Sequence, residues 1–324
     1  MTRYWDEYPE IKSDLETVHS IIVNSLESGN TRLDAALRDL ADRGGKMLRP
    51  AFVLLAARAR AGRPELPKKM YSLAAAVEML HMATLVHDDM IDDAATRRGA
   101  PTLHALHGRK SAVLMGDYLF ARCFSIVADH STIENAKLLA RGVEIICTAE
   151  ISQNNADEPV TPRRYYHRII GKTALLFALS FYVGARENGV RPAVSNRLRR
   201  IGYNIGMGFQ IRDDILDFLG DEGKTGKPRA ADLRQGIRTL PFILAASTNG
   251  VGSTLDSIMK GAELRDADVE EITRLVEKAG GFSRAQQQVE LYTNRAMRET
   301  LKLPRGHARD RIVAVTERLL TRTA

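Results

Sequence analysis

Residues 85 to 99 read LVHDDMIDDAATRRG, which places Asp88, Asp89, Asp92 and Asp93 together and Arg97 and Arg98 just beyond them. A second acidic set, Asp213, Asp214 and Asp217, stands in FQIRDDILDF. Both sets have the pattern Asp-Asp-x-x-Asp, and both end an apolar stretch with helical spacing. Residues four apart share a helix face, so Asp88 projects with Asp92 and Asp213 with Asp217. Carboxylates held that close repel one another and need a cation. Their hard oxygen donors suit Mg2+, which keeps several waters and is usually shared with substrate phosphates. One such cluster alone is ordinarily a solvated helix end. Two of them, each with apolar neighbours, point to metal ions gathered around a diphosphate.

The basic residues fit the same chemistry. Lys46 and Arg49 follow Gly44 and Gly45 in GGKMLRP, and glycine allows a backbone to come close to an anion. Lys172 and Thr173 open the apolar run ALLFALSFYVGA, and Lys227 lies in GDEGKTGKPRAADL. Singly these are ordinary surface residues. Beside two metal clusters they read as clamps for diphosphate groups. His87, next to the acids, reads either as a residue standing behind the metal ligands or as a hydrogen-bonded core histidine. No Ser/His/Asp arrangement suggests a nucleophile.

The elements that position these groups are helices. IKSDLETVHSIIVNSL, SLAAAVEMLHMATLVHDDMIDDA, AKLLARGVEIICTAEISQ, RYYHRIIGKTALLFALSFYVGA and NRLRRIGYNIGMGFQIRDDILDFLG all carry the 3.6-residue period, while alternating strand patterns are nearly absent. The breaks are short connectors with Gly, Pro and Asn, so residues 1 to 324 read as a single all-α domain, a bundle of roughly ten or more helices. The net charge of +7 suits anionic partners, but no Lys/Arg block with interleaved aromatics supports nucleic acid. Cys123 and Cys147 read as buried thiols of a reducing compartment. The N-terminal MTRYWDEYPE is unlike a signal peptide, and the longest unbroken apolar run is too short to span a bilayer, so the expected location is cytoplasmic.

Taken in order, GGKMLRP, HDDMID with RRG, GDYLFARCF, GKTALLF, FQIRDDILDF and GKPRAADLRQGIRTLP resemble the trans-isoprenyl diphosphate synthases over nearly the whole chain. The similarity is greatest to medium- and long-chain polyprenyl synthases, those of the heptaprenyl catalytic-subunit type in particular. The resemblance implies an all-helical isoprenoid-synthase bundle around a deep central cavity. It also implies a transferase that joins isopentenyl diphosphate to an allylic diphosphate with Mg2+, three ions per active site. Position by position, Asp88, Asp89 and Asp92 would bind Mg2+ on the allylic diphosphate, and Asp213, Asp214 and Asp217 would serve a further ion. Lys46, Arg49, His81 and Arg98 would hold isopentenyl diphosphate. Arg97, Lys172, Thr173, Gln210 and Lys227 would surround the allylic diphosphate, with Lys172, Thr173 and Gln210 as the catalytic set. The implied partners are a second copy in a homodimer or a small non-catalytic subunit, with transient contact at a membrane surface for product release. Two departures stand out. Ile237 occupies a position that is often Lys, with Arg238 next to it, and Arg212 precedes the second acidic set, directed away from Asp213.

The expected product is about C30–C40, from a farnesyl or geranylgeranyl primer. Ala83 and Thr84 lie one turn before Asp88, where short-chain members carry a bulky aromatic. A helical turn rises about 5.4 Å, close to one isoprene unit, so small residues there would admit a longer tail towards Leu80 and Val77. The alternatives are a short-chain C15–C20 synthase and a catalytic subunit that depends on a small partner.

Overall fold

A computed structural model of the chain describes residues 3–60, 65–97, 99–153, 161–220, 229–260 and 264–320. Helices dominate, as expected, and the described strands are two residues each. The chain divides into two compact units. One comprises Met1–Arg141, Phe177–Arg199 and Leu303–Arg311, the other Gly142–Leu176, Arg200–Lys302 and Ile312–Ala324.

The first unit begins with α1 (Pro9–Ser25), α2 (Thr31–Asp42), α3 (Leu48–Ala57) and α4 (Lys68–Ile91). A short antiparallel hairpin of β1 (Thr96–Arg97) and β2 (Ala100–Pro101) follows, then α5 (Leu103–His107), α6 (Arg109–His130) and the start of α7 (Ile133–Gln153). Its core is aromatic and aliphatic: Phe52 stacks on Phe181 with ring centroids 4.6 Å apart and meets Phe177 edge-on at 5.2 Å. Gly184 lets α9 (Leu175–Glu187) come against α3, for a Cβ there would lie 2.1 Å from the Val53 carbonyl oxygen. A buried polar knot joins α1, α3 and α4, with Arg58 paired to Asp14 at 2.7 Å and the Tyr71 hydroxyl donating to Asp14 at 3.0 Å.

The second unit contains α8 (Pro162–Ile169), a π-turn at Ile170–Ala174, most of α10 (Pro192–Leu219), α11 (Ala231–Arg234), α12 (Leu240–Ala246), α13 (Val251–Met259), α14 (Asp266–Lys278), α15 (Gly281–Leu301) and the larger part of α16 (His307–Leu320). Tyr165, Ile169, Met207, Ile211, Ile215, Leu240 and Val289 form one buried cluster, and Phe218, Leu233, Phe242, Leu255 and Ile272 form another.

Two sequence expectations change. Cys123 is buried on α6, but Cys147 is exposed, because α7 turns it outward with Ile145 while Gly142 faces in. Arg109–His130 and Pro162–Glu187 are each long and apolar enough to cross a membrane, although no single unbroken apolar run was. The second is mostly buried as core helix, whereas α6 leaves Val113, Leu114 and Phe124 exposed.

Candidate active site

The first acidic set is carried by the end of α4. Asp88 and Asp89 lie in its last turn and Asp92 is its C-cap. Asp93 takes a left-handed φ of 49°, and Ala94 N–H reaches back to the Asp89 carbonyl at 2.9 Å. That six-to-one bond ends the helix and fixes where Asp92 leaves it. Arg109 and His104 hold Asp93 itself, at 2.6 and 3.7 Å, so the fourth aspartate works as a local anchor.

Asp89 is buried and receives Arg97 Nε at 2.6 Å. Burial raises the Asp89 carboxyl above the usual carboxylate range, and the Arg97 charge and hydrogen bond only partly offset it. The pair sits beside a cavity of about 210 Å3 that also receives His81, Glu78, Gly44, Gly45 and Arg43. Of the residues expected to hold diphosphates, His81 and Arg97 line this cavity. Lys46 lies just before Met47, the left-handed N-cap of α3 at φ 46°, and Arg49 is in the first turn of that helix. The Lys46 carbonyl accepts from Trp5 Nε1 at 2.5 Å, its ammonium lies over Tyr4, and the Arg49 guanidinium lies over Phe177. Arg98 and Lys227 lie outside the described residues.

The cavity opens on the α4 face formed by Glu78, His81, Met82, Leu85, Val86 and Asp89. Other α4 residues meet α6: the His87 ring lies tilted against Phe120 with centroids 5.5 Å apart, and its Nε2 is 3.4 Å from the Val113 carbonyl. Gly116 makes the room, since a Cβ there would lie 2.3 Å from His87 Nε2. Val77, Leu80 and Ala83 are fully packed, and the Thr84 hydroxyl donates to the His81 carbonyl at 2.8 Å.

The second set lies within α10. Asp213 and Asp217 are half-buried and Asp214 is buried. Tyr165 O–H donates to Asp214 Oδ2 at 2.6 Å, and Gln210 Nε2 donates to Oδ1 at 2.8 Å. Burial, and then the charge of Asp232, push the Asp214 carboxyl up to about 7 against those two donors and Arg168. Thr173 Oγ1 donates to Gln210 Oε1 at 2.6 Å, while Lys172, one residue earlier in the π-turn, is exposed. Asp217 anchors the segment after α10: its carbonyl accepts from Ala230 N–H at 2.9 Å and its Oδ2 from Asp232 N–H at 3.2 Å. Arg212 does turn away, donating to Gln286 at 2.6 Å. Arg238 is held by Asp256 at 3.0 Å and lies over Phe242.

Sequence reasoning missed Glu78, Tyr165 and Asp232. Tyr165 is seven residues before Lys172 and Asp232 is in ADLRQG, and neither spacing carries a helix-face signal across separate elements. Among the described residues no three acidic, histidine or cysteine side chains converge closely enough to hold an ion by themselves.

A polyprenyl synthetase family model matches residues 30–277. The heptaprenyl diphosphate synthase component 2 of Geobacillus stearothermophilus is 37% identical over 306 residues, 93% of either chain. The heptaprenyl diphosphate synthase of Staphylococcus aureus superposes with a TM-score of 0.89 at 30% identity, over 97% of this chain and 99% of the other. The geranylgeranyl pyrophosphate synthase of Lactobacillus brevis does so at 0.90 and 33%, over 99% of both. The chain thus belongs to the polyprenyl synthetase family, the trans-prenyltransferases that condense isopentenyl diphosphate with an allylic diphosphate.

Proposed function

We propose that this chain is the catalytic component of a Mg2+-dependent trans-prenyl diphosphate synthase. The carrying observation is the end of α4, where Asp88 and Asp89 lie in the last turn and Asp92 caps it, with Asp89, Arg97 and His81 lining one cavity. The donors suit the ion in kind: they are hard carboxylate oxygens, and substrate phosphates and water would complete its coordination. Asp88, Asp89 and Asp92 would hold Mg2+, and Asp213 and Asp217, with Asp214 buried beside them in α10, would serve a further ion. The expected number is three ions. Bound there, Mg2+ supplies charge stabilisation to the departing diphosphate.

The rest of the chemistry falls to side chains. Lys46, Arg49, His81 and Arg98 take isopentenyl diphosphate. Arg97, Lys172 and Lys227 neutralise charge on the allylic diphosphate as its C–O bond opens. The double bond of isopentenyl diphosphate attacks the allylic cation, the departed diphosphate takes up the proton that is lost, and the chain grows by five carbons. Thr173 and Gln210 offer dipoles to the cation.

A second chain is supported by the name component 2 of the Geobacillus relative and by the exposed apolar residues Val113, Leu114 and Phe124 on α6. That face suits either a homodimer or a small subunit. Product length separates two readings. The heptaprenyl relatives and the small residues Ala83 and Thr84 support C30–C40. The geranylgeranyl relative and the packing of Leu80 and Ala83 support C15–C20.

One assay tests these statements: the purified chain with farnesyl and isopentenyl diphosphates and Mg2+, the hydrolysed products being chromatographed. Mg2+-dependent incorporation is the expected result. Incorporation that appears only with a small partner subunit would assign the two-component form. No incorporation with any partner or allylic primer would refute the function.

A further inference from the structure

Asp214 has both oxygens occupied within its own unit. Tyr165 O–H donates to one at 2.6 Å and Gln210 Nε2 to the other at 2.8 Å, and only 3% of the residue is exposed. Gln210 Oε1 then accepts from Thr173 Oγ1 at 2.6 Å. An amide nitrogen only donates and an amide oxygen only accepts, so each bond in this row has one direction. Flipping Gln210 would set its oxygen against an ionised carboxylate, so Asp214 in its ionised form selects the amide orientation. The Thr173 proton is thereby committed inward, and lone pairs are what its hydroxyl has left to offer.

We propose that Tyr165 and Asp214 are positioning residues that hold Gln210 in one amide orientation, so that Thr173 presents oxygen lone pairs, and not its proton, to the allylic cation. This deepens the prenyl-transfer reading and rests on it. The backbone supports the arrangement. In a regular helix a threonine hydroxyl commonly gives its proton to a carbonyl three or four residues back. Here Thr173 lies in the π-turn and gives it to Gln210. The turn is clamped on two sides: a Cβ on Gly171 would lie 2.3 Å from Ala149 Cβ, and one on Gly206 would lie 2.5 Å from Ala174 Cα. A dipole fixed before substrate arrives needs no reorientation during the reaction, which is where electrostatic catalysis gains most.

The test combines kinetics with a measurement on the metal-free protein. Tyr165→Phe is expected to lower kcat by about tenfold while KM for isopentenyl diphosphate stays within about twofold. In the Thr173→Val background the same change is expected to cost less than about twofold, because residues acting as a unit are not additive. Thr173→Ser keeps the hydroxyl and should retain most of kcat. In metal-free protein labelled with 15N at glutamine side chains, the Gln210 amide signal is assigned by its loss in Gln210→Leu. It should move in both Tyr165→Phe and Thr173→Val. Equal kinetic losses in the two backgrounds, or an unmoved Gln210 signal in both variants, would overturn the proposal. A wild-type chain that turns over no prenyl substrate would remove the function and with it the catalytic role. The amide signals would then still judge the hydrogen-bond row by itself.

Discussion

Glu187, the last residue of α9, is the perturbation with the clearest expected magnitude. Its Oε1 accepts from Ser131 Oγ at 2.7 Å, Thr132 N–H at 2.8 Å, Thr132 Oγ1 at 3.2 Å and Asn135 Nδ2 at 2.6 Å. Its Oε2 is 3.3 Å from Lys69 Nζ, and the side chain is 1% exposed. A carboxylate at a helix C-terminus is normally unfavourable, but this one also faces the start of α7, where the dipole favours negative charge. Glu187→Ala would strand the buried Asn135 amide and leave the Ser131 and Thr132 donors to water. A lost hydrogen bond to a charged acceptor costs about 1.5–3 kcal/mol, and partial rehydration of the others brings the total to about 3–4 kcal/mol. Glu187→Gln keeps an acceptor at Oε1 and loses the charge, for about 1–2 kcal/mol. Burial opposes ionisation of Glu187, yet the Asn135, Thr132 and Ser131 donors and Lys69 outweigh it and hold the carboxyl below the ordinary glutamate value. A depressed carboxyl gives stability that is complete above the unfolded-state value and lost as pH falls through the folded one. The gap between wild type and Glu187→Gln should therefore narrow on acidification below about pH 4.5. Urea midpoints from far-ultraviolet circular dichroism, with hydrogen exchange of α7 and α9, measure both effects. A loss under about 1 kcal/mol for Glu187→Ala, or a gap indifferent to pH, would refute the reasoning.

Four further outcomes are expected. Asp88→Ala should remove most prenyl transfer with the helical signal intact, and near-normal turnover would count against the carboxylate assignment. Ala83→Phe should shorten the product and cost about 1–3 kcal/mol by overpacking. An unchanged product distribution by chromatography would mean that the tail does not run along that side of α4. Gly184→Ala should destabilise the first unit by at least about 3 kcal/mol in a urea titration, since the obstacle is the Val53 backbone and not a side chain that can swing away. Of the two thiols, Cys147 should react with a thiol reagent in the native protein. Cys123, buried and pushed up to about 12, should react only on unfolding.

The parts of the site that were legible in sequence are those written within one helix. Both acidic sets lie on helices, α4 and α10, as their spacing implied, and Arg212 turns aside as its angle on the helix requires. Contacts between elements were hidden. Tyr165 reaches Asp214 across 49 residues and Thr173 reaches Gln210 across 37, and no local pattern announces either. Periodicity also presented RYYHRIIGKTALLFALSFYVGA as one uniform helix, because a single wide turn barely disturbs an apolar stripe. Cys147 was misplaced for a similar reason: α7 is apolar on more than one side, so burial could not be assigned by hydropathy.

That wide turn makes chain length a determinant in its own right. A π-turn is in effect one surplus residue lodged in a helix. The surplus is taken up in the turn itself, so the helix on either side keeps its register, and deleting one position of Ile170–Ala174 would let the segment relax to an ordinary spiral. Such a deletion would close the turn that carries Thr173 and draw its hydroxyl away from Gln210, whereas a point substitution beside it leaves the path of the turn intact. Related sequences that keep this hydroxyl–amide–carboxylate row should therefore tolerate exchanges here far more readily than gaps.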